Sequence, residues 1–226
     1  DSVAVYELQH FMQWGTPEDV LEYKMWSNTF KNLCSYPIAD LPALGTVVIP
    51  MAGMGQRFID EGYAAIKPLI SVSGLPMVMQ AIADLPLSVN QVFVLRKHME
   101  GSRELEKKLM STFPNAVIEL IDEVTEGQAC TAKLGMDALK ALCPLDGYGP
   151  FTFGACDNGA IYDSEKLYQL MNDQSVDVIV WGVRGHPNAI RNPNMFGWIE
   201  VNDSNQIKSI SVKSPLLDPS IDPIVL

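Results

Sequence analysis

A glycine-rich segment near residue 50 contains the residue types that bind phosphate. The β-branched run Val47–Ile49 leads into Gly53 and Gly55, and Arg57 and Lys67 follow. Glycine lets backbone N–H groups approach a phosphate closely, and arginine and lysine side chains add positive charge beside its oxygens. The segment therefore predicts a phosphate-binding loop that follows a strand.

Two better-known phosphate-binding motifs do not fit this loop. The dinucleotide fingerprint G-x-G-x-x-G needs a third glycine, and Phe58 occupies that position. The Walker A motif, G-x-x-x-x-G-K-[ST], is also absent. What remains is G-x-G-x-R-F, followed by the Lys67-Pro68 pair.

Asp157 follows the apolar run 151–156 and begins an Asp-Asn-Gly sequence. A carboxylate at the carboxyl end of a buried strand can hold Mg²⁺ while substrate oxygens complete the metal's shell. Asp-Asn-Gly is also a common turn sequence, and both interpretations can hold together.

The segment Glu126-Gly127-Gln128 precedes a predicted helix. Gly127 would let the backbone approach a flat nucleobase, and the Gln128 amide can both donate and accept hydrogen bonds there. The alternative is an ordinary helix start with a glutamine in its first turn.

Strand-like and helix-like segments alternate from Thr46 onward. The early strands are nearly continuous apolar runs, which is typical of parallel strands covered by helices on both faces. The predicted fold is α/β, a three-layer α/β/α arrangement with a mostly parallel mixed sheet and a late antiparallel hairpin that turns at 202–205. The predicted strands are 46–51, 69–72, 91–96, 116–121, 151–156, 177–183, 197–202 and 207–212, and the predicted helices are 76–84, 100–112, 128–142 and 163–173.

Ligands bind beyond the carboxyl ends of the strands in sheets of this kind. The glycine loop, the 123–128 segment and Asp157 all follow predicted strands. We therefore expect them to converge at one edge of the sheet.

The combined pattern resembles the signature of the sugar-phosphate nucleotidyltransferases, a family with a nucleotide-diphospho-sugar transferase fold. The resemblance covers residues 47–77, so it rests on several segments in the family's order. These segments are Ile49–Gly53, Arg57–Phe58, Gly62–Tyr63, Lys67–Ile70 and Gly74–Met77.

The resemblance implies a role for each site residue. Arg57 would stabilise charge on the leaving pyrophosphate, Lys67 would neutralise phosphates and align the attacking group, and Asp157 would bind Mg²⁺. Two residues at the implied acceptor site leave its assignment open. Trp198 could equally be a core aromatic residue, and Ser214, directly after Lys213, stands where many members have a second lysine. The implied nucleotide-binding residues are Ala52, Gly53, Met54, Gly55, Gln56, Gly127 and Gln128, and the implied acceptor-binding residues are Gly197, Trp198 and Lys213.

The first residues do not read as the start of an α/β domain. Val3–Tyr6 fits a short strand, and Thr16-Pro17 predicts a helix start that runs to about Asn32. The family's closing W-x-D-x-G-T-P-like segment has its nearest counterpart at 11–19, with Gln13 in place of the aspartate. We therefore expect 1–43 to be the tail of a preceding domain plus a linker. Residues 44–226 would be a nucleotidyltransferase domain truncated before a second metal-binding acid.

Composition narrows the function classes further. The net charge of −11 argues against a general nucleic-acid binder, and no apolar run has the length that spans a bilayer. Four scattered cysteines without a C-x-x-C pair fit reduced thiols in a cytoplasmic protein.

The predicted activity is transfer of a nucleoside monophosphate from an NTP to a sugar 1-phosphate. The products would be pyrophosphate and an NDP-sugar, and the NDP-sugar would serve polysaccharide biosynthesis. One alternative is a cytidylyltransferase for a non-sugar phosphate, and another is a nucleotide-binding pseudoenzyme. A glycosyltransferase of related fold would need a D-x-D motif, and Asp157-Asn158-Gly159 lacks the second acid.

Overall fold

The computed structural model describes residues 14–35, 40–142, 148–216 and 224–225. The chain divides into a central unit, residues 38–173, and a terminal unit that joins residues 1–37 to 174–226. In chain order the elements are α1 (Pro17–Ser35), β1 (Thr46–Pro50), α2 (Gln56–Asp60), β2 (Ser71–Val72), β3 (Leu75–Pro76), α3 (Met77–Ala83), β4 (Asn90–Arg96), α4 (Ser102–Thr112), β5 (Val117–Ile121), α5 (Gln128–Leu142), β6 (Phe151–Phe153), α6 (Ser164–Met171), β7 (Gly182–Val183), α7 (Pro187–Arg191), β8 (Gly197–Val201), β9 (Ile207–Val212) and β10 (Ile224–Val225).

The central unit contains a four-stranded parallel sheet in the order β5-β4-β1-β6. Successive residues of β1 point to opposite faces, as a strand's period of two requires. Val47 and Ile49 pack in a cluster with residues of α3 and α4, whereas Val48 packs in a cluster with residues of α5. Helices therefore cover both faces of the sheet, and the predicted three-layer α/β/α fold is confirmed.

The terminal unit contains α1, α7 and an antiparallel sheet in the order β7-β10-β8-β9. α1 begins after Thr16, whose hydroxyl accepts a hydrogen bond from the Asp19 N–H at 3.2 Å. The Asp19 carboxylate in turn accepts a hydrogen bond from the Thr16 N–H at 3.1 Å, so the two residues cap the helix reciprocally. β8 and β9 form the predicted hairpin.

Several details differ from the sequence expectation, among them the strand predicted at 151–156, which ends at Phe153. The strand predicted at 69–72 is reduced to Ser71–Val72. Leu69 instead ends a 3₁₀ turn at Lys67–Leu69, where Pro68 fixes φ and has no N–H to donate to a ladder. Only β7 forms within 177–183. The late antiparallel strands form a sheet of their own in the terminal unit, and the described strands of the central sheet are all parallel.

Two further predictions concern residues or boundaries that the structure leaves open. The predicted strand at residues 3–6 lies outside the described residues. The predicted boundary at residue 43 stays a prediction, although the two units divide the chain nearby, at residue 37. Among the described helices, none combines the length and the apolar character that crossing a membrane would require.

Candidate functional site

The loop after β1 is fixed at its start and open in its middle. The Met51 N–H donates a hydrogen bond to the Val94 carbonyl oxygen at 2.9 Å, and Ala52 is buried in a cluster with Val94 and Ile121. Gly53 and Met54 are exposed directly after this anchor. The chain is therefore exposed directly after the buried carboxyl end of the strand.

Two glycines of this loop differ in what the fold demands of them. Gly55 has φ +66°, a left-handed conformation, and a Cβ there would lie 3.2 Å from the Lys67 Cβ. Gly53 has no left-handed φ, and a Cβ added to it would meet no atom within 4 Å. The fold therefore needs glycine at position 55 but not at position 53, where the missing side chain leaves room for a ligand.

Lys67 and Asp157 meet beside this loop. The Lys67 Nζ forms an ion pair with the Asp157 carboxylate, although the two residues are far apart in sequence. The side chains are 27% and 34% exposed, and the Lys67 Nζ also lies 5.9 Å from the centre of the Phe58 ring. The structure thus brings together two of the three residues predicted to carry catalysis, at the edge of the sheet where they were expected.

Arg57, the third of these residues, lies on α2, which begins directly after Gly55. The residue is exposed. It makes no ion pair with any residue that the structure describes. Its guanidinium is therefore a cation of the loop that no described carboxylate offsets. Gln56, which was predicted to bind nucleotide, donates a hydrogen bond to the Asp60 carboxylate at 2.6 Å, and its predicted role stays a prediction.

Asp157 follows a segment that the core holds firmly. Pairing of β6 with β1 continues past Phe153, because the Gly154 N–H donates to the Val48 carbonyl at 3.1 Å. Cys156 is buried, and this burial, with the neighbouring Asp157 charge as a smaller cause, raises the pKa of its thiol to about 11. The chain then becomes exposed at Asp157, so the residue that carries this carboxylate directly follows a segment packed in the core.

The donor set around Asp157 suits a metal ion that arrives with a substrate. Within the described part of the chain, no three His, Cys, Asp or Glu side chains are grouped so that they could hold a metal ion. Mg²⁺ is commonly bound through one or two carboxylates together with substrate phosphates and water. A single exposed carboxylate beside a lysine and the exposed glycine loop fits that mode and does not fit a self-contained protein site.

The turn before α5 is closed by threonines that the sequence reading did not single out. The Thr131 N–H and hydroxyl both donate to the Gly127 carbonyl, at 3.1 and 3.2 Å. The Thr125 hydroxyl donates to the same carbonyl at 2.9 Å. Gly127 has open space where a side chain would stand, and Gln128 is exposed at the first position of the helix. In the sequence, the only sign of this closed turn is that threonines stand on both sides of the Glu126-Gly127-Gln128 segment.

The predicted acceptor-binding residues lie in the terminal unit. Trp198 is fully buried against Ala189, and its indole N–H donates to the Pro193 carbonyl at 2.9 Å. The structure therefore shows the core aromatic residue that the sequence left as an alternative. Gly197 pairs with Val212 in the hairpin, and the exposed Lys213 has φ +59°.

Comparison with known proteins identifies the fold. No protein-family model matches this sequence, and no curated protein matches it. A solved nucleoside-diphosphate-sugar pyrophosphorylase from Vibrio cholerae RC9 is similar, with 20% identity and a TM-score of 0.56 over 77% of this chain and 70% of that chain. An inositol-1-phosphate CTP transferase from T. maritima has 16% identity and a TM-score of 0.53, over 82% of this chain and 71% of that chain.

A UDP-glucose pyrophosphorylase complexed with UDP-glucose has 13% identity and a TM-score of 0.51, over 81% of this chain and 74% of that chain. At these identities the likeness concerns the fold. The chain has the fold of the nucleotide-sugar pyrophosphorylases and related nucleotidyltransferases.

Proposed function

We propose that this protein transfers a nucleoside monophosphate from an NTP to a sugar 1-phosphate and releases pyrophosphate. The observation that carries the proposal is the Lys67–Asp157 ion pair, which lies beside a loop whose Gly53 leaves open space. The fold shared with a nucleoside-diphosphate-sugar pyrophosphorylase and a UDP-glucose pyrophosphorylase supports the same reaction class.

The reaction needs no nucleophile from the protein. An oxygen of the acceptor phosphate attacks the α-phosphorus of the NTP, and the bond from that phosphorus to the α–β bridging oxygen breaks. The departing pyrophosphate takes the electron pair of the broken bond, so negative charge grows on its oxygens. Catalysis of such a transfer is mainly positioning and electrostatic stabilisation.

Three side chains take these tasks. Arg57, exposed at the loop and without a described acidic partner, stabilises the charge on the leaving pyrophosphate. Lys67 contacts the phosphates and holds the reacting groups in line. Asp157 would hold Mg²⁺, which supplies charge neutralisation to the phosphate oxygens when it is bound.

The remaining predicted residues would define the substrates. Gly127 and Gln128 stand at the start of α5 with exposed backbone and amide groups, which suits contact with the edge of a base. Lys213 is exposed in the terminal unit, and its contact with an acceptor phosphate stays a prediction. Trp198 is left out of this proposal because its ring offers no free surface.

The test is pyrophosphate release over a panel of ATP, CTP, GTP, UTP and dTTP, each with several sugar 1-phosphates, inositol 1-phosphate and an amino-alcohol phosphate. We expect turnover with a sugar 1-phosphate. Turnover with a non-sugar phosphate and CTP alone would show the cytidylyltransferase instead. Nucleotide binding without any pyrophosphate release would show a binding protein and refute the proposal.

Variants make the test specific to the site. We expect Arg57→Ala and Asp157→Ala each to lose at least about 100-fold in kcat, because each removes a charge that acts on the reacting phosphates. Asp137→Asn is a matched control, because Asp137 is also exposed and paired with a lysine, Lys133 on α5. Retained turnover in either site variant, with a folded circular dichroism spectrum, would remove that residue from the mechanism.

A further inference from the structure

Asp84 contacts the loop that follows Asp157. It is the residue directly after α3 and is partly buried. Its carboxylate lies close enough to the backbone N–H of Ala160 and to the Gln80 side chain for both groups to lower its pKa. No sequence motif surrounds Asp84, so its type and position alone do not predict a role.

Gly159 reveals how closely the carboxylate approaches this loop. A Cβ at Gly159 would lie 2.6 Å from the Asp84 Oδ2, closer than any ordinary contact between such atoms. The backbone of Gly159 is not in the left-handed region, so its own conformation does not demand glycine. A side chain at position 159 would therefore displace the Asp84 carboxylate from its contact with the loop.

Asp157 is thus held from both sides. On the strand side, Cys156 is buried in the core cluster that includes the partly buried Leu85, the residue after Asp84. On the loop side, the Asp84 carboxylate lies against Gly159 and near the Ala160 N–H, two and three residues after Asp157. Without the second anchor, the segment from Asp157 to Ala160 would be held only at its start.

Because the Asp84 carboxylate is partly buried, it depends on nearby hydrogen-bond donors more than an exposed carboxylate does. Burial raises its pKa, and the nearby Ala160 N–H and Gln80 side chain act in the opposite direction. Tyr162 lies near enough for the Asp84 charge to add to the effect of burial in raising the pKa of its hydroxyl. An acceptor that is partly removed from water holds its donors more tightly than an exposed one does.

We infer that Asp84 is a positioning residue that fixes the 157–160 loop, so that the Asp157 carboxylate faces Lys67 and the bound phosphates. This inference rests on the proposed function, since it assigns Asp84 a part in that reaction. Asp84 itself touches no reacting group. Its effect reaches the site through the Ala160 N–H and the backbone of the loop.

The first readout is hydrogen exchange of the peptide 157–163, which needs no substrate. We expect Asp84→Ala to speed exchange at the Ala160 amide at least tenfold. Asp84→Asn keeps a side-chain oxygen that can accept from the Ala160 N–H, so its exchange should stay within about threefold of wild type. Asp137→Asn should leave the peptide unchanged. Unchanged exchange in Asp84→Ala overturns the inference, whatever the activity of the protein.

The second readout is steady-state pyrophosphate release with the triphosphate and acceptor that turn over in the panel above. We expect Asp84→Ala to lower kcat at least tenfold with the KM for the triphosphate within about twofold, and Asp84→Asn to recover most of that loss. A rise in KM alone, or an Asn variant as slow as the Ala variant, refutes a positioning role.

A double-variant cycle tests the contact itself. Gly159→Ala should lower kcat at least tenfold in the wild-type background, but less than threefold in the Asp84→Ala background, because the colliding carboxylate is then absent. Equal effects in both backgrounds contradict the inference. A wild-type protein that releases no pyrophosphate refutes the proposed function and removes the catalytic part of this inference with it. Normal turnover in Asp84→Ala refutes the role of Asp84 alone.

Discussion

Replacing Gly53 and Gly55 separately by alanine distinguishes a glycine kept for a ligand from one kept for the fold. At Gly53 a methyl group meets no atom within 4 Å and φ is not left-handed. An alanine at such a site stabilises a protein by about 0.4–1 kcal/mol, because it restricts the unfolded chain. We therefore expect Gly53→Ala to unfold at the same or a slightly higher urea concentration than wild type.

Nucleotide binding should respond in the opposite direction. If backbone N–H groups at Gly53 contact phosphate, the added methyl group blocks that approach. Losing one hydrogen bond to a charged group costs about 1.5–3 kcal/mol, which corresponds to a loss of roughly 10- to 100-fold in affinity. Titration calorimetry with the nucleotide panel and Mg²⁺ measures this loss directly.

Gly55→Ala provides the contrast within the same loop. Alanine at φ +66° costs about 1–2 kcal/mol, and its Cβ would press on the Lys67 Cβ at 3.2 Å. Unfolding is best followed by far-UV circular dichroism, since all four tryptophans lie outside the central unit. Wild-type nucleotide affinity in Gly53→Ala would refute the phosphate-loop assignment, and unchanged stability in Gly55→Ala would refute the account of its backbone.

Three further predictions concern packing and charge. Gly135→Ala on α5 should lower the free energy of unfolding by about 1–2 kcal/mol in urea titrations, since its Cβ would lie 2.7–3.2 Å from three strand valines and overpacking outweighs the gain in helix propensity. Iodoacetamide at pH 8 should label the exposed Cys34 rapidly and the buried Cys156 only after unfolding, because burial both shields that thiol and raises its pKa to about 11; equal labelling by mass spectrometry would contradict this. Glu22→Gln should lower the melting temperature at pH 7, and this difference should disappear once the pH falls below the lowered pKa of Glu22. The hydrogen bond from Arg191 holds the Glu22 pKa below its usual value, so the stabilisation exists above the ordinary carboxyl pKa and disappears as the pH falls through the lowered one.

The sequence predicted the layers of the fold because burial leaves a direct trace in residue type. The apolar run of β4 is buried at four consecutive positions, as parallel strands between helices require. The helix start at Thr16 was equally readable, because capping depends on residues that are neighbours in sequence. The Lys67–Leu69 turn was not predicted, since the apolar residues after Lys67 favour a strand whereas Pro68 opposes one.

The residues that complete the site were harder to read because their partners are distant. Lys67 and Asp157 could be proposed from types and positions, yet only the fold shows that they form an ion pair. Asp84 leaves no local pattern, and the Asp-Asn-Gly turn sequence does not reveal that a carboxylate from another element contacts Gly159. Trp198 shows the reverse problem, since an aromatic residue has the same appearance in a core and in a binding site.

The Lys67–Asp157 pair also explains how one carboxylate could serve a metal-assisted reaction. A partly exposed ion pair contributes only about 0–1 kcal/mol, whereas each charge-assisted hydrogen bond to phosphate is worth about 1.5–3 kcal/mol. Under the proposed function, a bound triphosphate would therefore compete successfully for Lys67 and leave the Asp157 carboxylate without its partner. Under the proposed function, Asp157 becomes an available ligand only when phosphate oxygens are present to complete a cation's shell. This order of events accounts for a site that lacks a carboxylate cluster among the described residues and still suits nucleotide chemistry.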